Sequence, residues 1–298
     1  MSPARPDPTG TTEAERSDGG PEADAADRAS FLRRVAVLFA LGVPGILALV
    51  PTVLAQLRSL PGTPDLPVAL VVALTLLQSA VLLLVAVGVG VSLAPRLGFR
   101  SYVLARVTNG TPILAGLRPE LPLAAGLGGL TTLVVVGLDV AFAPVVAVDL
   151  AAAAPGRLPG GAATVGGLLA SLPLRLLYGG VVEELLLRFG LLTLLTWLGW
   201  RVVRLVRGSR AAIGPSTVVV WTAILVSAVL FGVGHLPTLA VAVPLTPALV
   251  VRTVVLNAVA GVAFGWLYWR RSLEAAMVAH ASFHVVLVAL SLVVLVVA

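Results

Sequence analysis

The sequence has no cysteine and no lysine, and only three of its 298 residues are histidine. Without cysteine there can be no disulfide, no thiolate nucleophile and no cysteine-ligated metal. The missing lysine is read as codon bias, because all 20 basic residues are arginine. Charge is scarce as well. Charged residues make up 11% of the chain, against about a quarter in a soluble domain. A basic balance of +6 does not indicate nucleic acid as a partner, since the arginines are spread over connections between apolar runs.

What replaces charge is hydrophobic length. Hydrophobic residues are 58% of the chain. Uncharged runs cover Val35–Leu57, Leu66–Pro95, Leu121–Leu138, Ala211–Val251 and Ala275–Ala298. A membrane-spanning helix needs about 20 such residues. Backbone groups in lipid must be satisfied within their own segment, which predicts helices. The runs do not alternate apolar and polar residues, so a barrel is excluded. The expected class is all-α: a polytopic helical membrane protein with seven to eight transmembrane helices.

Three regions are expected. Residues 1–30 hold half of the acids, with much Pro, Gly and Thr. They are read as a disordered, solvating tail; the acidic stretch is not a signal peptide. Residues 31–160 are N-terminal transmembrane helices, and residues 161–298 a second helical core. Arginine clusters then set the topology. Arg28, Arg33 and Arg34 end the tail. Later connections hold Arg96, Arg100, Arg106 and Arg118, then Arg201, Arg204, Arg207 and Arg210, then Arg270 and Arg271. The alternate connections are arginine-poor. The positive-inside rule gives an integral, multi-pass cell-membrane protein with a cytoplasmic N-terminus, and seven crossings if 163–200 crosses once. As an α-helix that segment would run about 57 Å, so it contains an interfacial helix, a break, or an eighth crossing.

Against this background the polar residues stand out. YGGVVEELLLRFG places Glu183 beside Glu184, with Arg188 one turn on. Glu184 and Arg188 have the favourable i,i+4 order for an ion pair, while Glu183 points elsewhere. Gly179 and Gly180 allow a neighbouring helix to approach closely. In LFGVGHLP the ring of Phe231 can pack beside His235, and Pro237 and the glycines favour a bend there. In MVAHASFHVV, His280 and His284 share one helix face. Asp139 and Arg252 also lie in apolar segments, as buried partners or substrate contacts.

The ordered set EExxxR, FxxxH and a final histidine element resembles the motifs of the CPBP intramembrane peptidases, which comprise type II CAAX prenyl proteases and bacteriocin-processing or Abi-like immunity proteins. GVAFGWLYWRRSLEAAMVAH also resembles the lead-in to the family's last motif. The resemblance spans about 173–286. It departs at His284, where the family carries Asn or Asp. It implies an endopeptidase acting on a membrane-associated peptide or protein, with Glu183 as general base, His235 helping to hold the water, and His280 and residue 284 holding the oxyanion. Glu184, Arg188 and Phe231 are then supporting residues; which glutamate faces the site is open. Glu183, His235, His280 and His284 also form a normal ligand set for catalytic zinc, so zinc and a metal-free mechanism both stand. Two other classes share these residues: a non-catalytic scaffold or immunity factor, and a proton-coupled transporter.

Overall fold

The computed structural model describes residues 21–59, 66–151, 164–208 and 214–297. In chain order its elements are α1 (Pro21–Leu47), α2 (Val50–Ser59), α3 (Val68–Leu93), α4 (Tyr102–Asn109), α5 (Ile113–Leu117), α6 (Leu121–Ala151) and α7 (Val165–Ala170). Two π-helical stretches follow, Leu174–Glu183 and Leu185–Leu192. The chain ends with α8 (Thr193–Arg207), α9 (Thr217–Gly234), α10 (Leu236–Ala242), α11 (Pro247–Arg270) and α12 (Leu273–Val297). There is no strand among the described residues, and seven helices are long and apolar enough to cross a membrane. Segment 165–207 is one of the seven.

Helix α1 starts inside the stretch read as tail, ten residues before the expected boundary at 30. The sequence from Pro21, PEADAADRAS, explains the earlier start. It places acids in the first turn and is rich in alanine, the best helix former. Residues 1–20 lie outside the described residues, as does Arg210 of the topology argument.

The helices before and after residue 160 share one core. Leu38, Leu83, Val87 and Val91 pack in the same cluster as Val182, Phe189, Ile224 and Phe264. Small residues bring the backbones together. A Cβ on Gly232 would lie 2.7 Å from the Val254 backbone, and one on Gly261 would lie 2.8 Å from Ala228. These two contacts fix α9 antiparallel to α11. Gly190 does the same against Ala86 of α3, at 2.6 Å. In a membrane such close van der Waals packing replaces the hydrophobic drive that associates helices in water.

The π winding between 174 and 192 bears on the length problem posed by this segment. A π-helix rises less per residue than an α-helix, so the segment is shorter than its residue count suggests. The Thr193 hydroxyl donates to the carbonyl of Arg188, five residues back, at 3.2 Å and shares a hydrogen bond with Tyr268 at 2.9 Å. The chain then continues as α8, whose Arg201, Arg204 and Arg207 are exposed while Thr193 and Thr196 are buried. Arg201 and Arg204 lie over the rings of Trp197 and Trp200, the arrangement expected of an interfacial helix.

Candidate active site

The π-helical stretches carry Glu183, Glu184 and Arg188 against α12, which carries His280 and His284. The approach is close because position 179 has no side chain. A Cβ there would lie 2.8 Å from Nε2 of His284 and 3.5 Å from Nε2 of His280. Any larger residue would push the imidazoles away.

Glu184 is fully buried and works as a hub. Its Oε1 is 3.0 Å from Nη1 of Arg188 and 2.8 Å from Nδ1 of His280. Arg188 is 2% exposed. Its guanidinium lies between the rings of Phe231 and Phe264, 4.9 and 5.4 Å from their centroids. Its Nη2 donates to the carbonyl of Gly261. The expected i,i+4 ion pair is therefore present, with a cation–π sandwich around it. A carboxylate paired to a guanidinium can only accept, so Nδ1 of His280 is the donor. In the neutral ring Nε2 is then a lone pair, and it faces Glu183 Oε2 across 3.8 Å. That gap is too long for a hydrogen bond and suits a bridging water. Glu183 is 17% exposed and accepts no hydrogen bond from the described residues.

His235 stands at the break between α9 and α10, where the sequence predicts a bend. Its Nδ1 lies 2.9 Å from the carbonyl of Phe231. A carbonyl can only accept, so here too Nδ1 donates and Nε2 is left free. Phe231 links the two regions. Its ring meets His235 edge-on at 4.8 Å and lies 6.1 Å from the His280 ring. The His280 ring is stacked between Phe264, at 4.7 Å, and His284, at 4.9 Å. The Nδ1 of His284 is buried and has no partner among the described residues.

Residues from segments about fifty positions apart thus meet in one cluster. Glu183, Glu184, Arg188, Phe231, His280 and His284 are in direct contact or one water apart. His235 joins through the ring of Phe231. Glu183 shares the depth of His280, nine residues past Arg271, which makes it shallower than a continuous α-helix from Arg201 would.

The proposed zinc ligand set is not assembled. Among the described residues no group of three His, Cys, Asp or Glu could hold a metal ion.

Asp139 and Arg252 do pair across α6 and α11. Arg252 Nη2 is 2.5 Å from Asp139 Oδ1, and its Nε also donates to that oxygen. The aspartate is 43% exposed, so this is not a buried pair.

Sequence reasoning missed several residues of the neighbourhood. Phe264 stacks on His280 without any motif that marks it. Among the described residues the Arg175 side chain, on the π-helical stretch, has Ser171 Oγ as its one hydrogen-bond partner, at 2.9 Å; its signal was a lone charge in an apolar segment. Glu120 and Glu274, both buried, tie the turn before α12 to α4 and were overlooked among the loop charges.

Residues 165–286 match the family model described as type II CAAX prenyl endopeptidase Rce1-like. This segment is similar to that family. It covers well under half of the chain and contains every histidine and both central glutamates. The matched range agrees with the sequence resemblance, and the family is one of CAAX-type peptidases. No curated protein and no solved structure matches the chain.

Proposed function

We propose that the chain is an intramembrane endopeptidase in which Glu183 activates a water held between its carboxylate and Nε2 of His280. The 3.8 Å separation of these atoms, with Nδ1 of His280 locked on Glu184, carries the reading. Glu183 takes one proton from the water as the oxygen attacks the peptide carbonyl. The tetrahedral oxyanion collapses as the C–N bond breaks. Glu183 returns the proton to the departing amine, leaving a new carboxyl and a new amine.

The two locked imidazoles, His235 and His280, present lone pairs that accept from water. His284, in which no nitrogen is committed to a protein partner, is the ring free to donate Nε2–H to the oxyanion. This differs from the family-based assignment of His280 as an oxyanion donor. Residues 161–298 then form the catalytic part, and the earlier helices brace it. The arginine-rich connections support a cytoplasmic N-terminus.

The test is cleavage of a peptide library by the purified chain, with Glu183→Gln and His235→Ala alongside. Glu183→Gln should lower the rate by at least about 100-fold, with chelator leaving the wild-type rate unchanged. Full activity in Glu183→Gln would remove it as the base.

A further inference from the structure

We propose that Arg175 is a specificity-determining residue that binds a carboxylate of the substrate. This rests on the reading of Glu183 as the base. Arg175, Gly179 and Glu183 follow one another at four-residue steps along the π-helical stretch. Gly179 faces Nε2 of both His284 and His280. Arg175 stands about one turn before Gly179 on the same stretch. One continuous strip therefore runs from the base, past the two imidazoles, to a guanidinium.

Charge accounting singles out this arginine. Glu184 and Arg188 neutralise each other by direct contact. With the imidazoles neutral, the strip retains the negative charge of Glu183 and the positive charge of Arg175. A membrane segment is a costly place for an arginine without a counter-ion. Arg175 forms no ion pair among the described residues. Its Nε is held by Ser171, whose own hydroxyl donates to the Leu168 carbonyl at 2.7 Å. The side chain is anchored at Nε, and its two terminal nitrogens make no hydrogen bond to the described residues. Two parallel N–H groups in that state match a carboxylate bidentately. The carboxylate has two sources, the C-terminus of a peptide or an acidic side chain near the scissile bond.

The test is binding rather than turnover, so it does not depend on the peptidase reading. Short fluorescent Leu/Ala peptides are titrated onto the full chain in detergent, in a Glu183→Gln background. One ends in a free carboxylate, one in an amide, and one in an amide with a single internal Glu. A peptide with a carboxylate should bind about tenfold tighter than the neutral amide. Arg175→Gln should erase the difference, and Arg175→Lys should keep part of it. The carboxylate peptide that shows the preference identifies the source. Equal binding of all three peptides to the chain carrying Arg175, or a preference that survives Arg175→Gln, overturns the proposal. If Arg175→Gln fails to fold, the three-peptide comparison and Arg175→Lys still decide it.

Discussion

Two pairs of buried or half-buried glutamates lie within about two turns of each other along α12, and their surroundings differ. At the turn before α12, Glu274 accepts from Ser101 Oγ at 2.7 Å and from the backbone N–H groups of Tyr102 and Val103, both at 2.9 Å. Glu120 accepts from the Tyr102 hydroxyl at 3.0 Å and from Ser272 Oγ at 2.5 Å. All four oxygens have donors. Further along α12, Glu184 loads both partners on Oε1 while its Oε2 is buried without any. Glu183 accepts no hydrogen bond from the described residues, and Nδ1 of His284 is unpaired. A fully satisfied carboxylate network rigidifies a fold. Buried polar groups left unsatisfied cost stability and ask for an explanation. The contrast supports a structural role for the first pair and fits the chemistry proposed for Glu183 in the second.

The contrast breaks if Glu183 proves structural. Glu183→Gln should abolish nearly all cleavage, a loss of about 100- to 10,000-fold, and leave the melting temperature within a degree or two. A large drop in melting temperature would place Glu183 with the other pair. Arg188→Met is the opposite case. It removes the counter-ion of Glu184 and strands a buried carboxylate, at about 3–5 kcal/mol. Denaturation in mild detergent should show that loss, and activity should fall with the population of folded protein.

The seven-span, all-helical architecture was legible because lipid allows few alternatives and the apolar runs were long. The cluster was legible because charge is so rare here that each intramembrane Glu or His carries information. The assignment of Glu184 to Arg188 followed from helical spacing alone. What spacing could not give was the third partner, His280, which comes from a segment 96 residues away. The π winding was invisible, since no residue pattern in LRLLYGGVVE marks it. Whether the Glu and His side chains stand close enough together for one ion depends on how distant segments pack, and a sequence does not carry that. Glu120 and Glu274 were missed for the opposite reason to Glu183: they sit beside arginines in connections, where a charge needs no special account. Ser272 and Glu274 at the start of α12 have the look of a capped first turn, and Ser272 Oγ does accept from Ala275 N–H at 3.1 Å. Nothing in that local signal points to the long-range contact with α4.

Glu274→Ala sharpens the structural side of the comparison. It leaves two N–H groups at the start of α4 and the Ser101 hydroxyl without their acceptor. The cost should be about 2–4 kcal/mol, read as a lower unfolding midpoint. Activity per folded molecule should stay closer to wild type than for any change at Glu183. A selective loss of activity at unchanged stability would mean that the turn acts on the site through α12 after all.

The smallest effect separates the network's parts. Tyr102→Phe deletes one hydrogen bond to Glu120 and should cost about 1 kcal/mol at neutral pH. It also has a pH signature. Burial, followed by the hydrogen bond to Glu120 and the charge of that carboxylate, pushes the Tyr102 phenol above its ordinary value near 10. The folded state therefore favours the protonated phenol. That contribution is present in full below the unfolded value and is lost as pH climbs through the raised folded value. The stability gap between wild type and Tyr102→Phe should stay constant from pH 7 to about 9 and narrow above about 10. A gap that widens with rising pH would mean that the phenolate, not the phenol, is the form the fold prefers, and that Glu120 is not its partner.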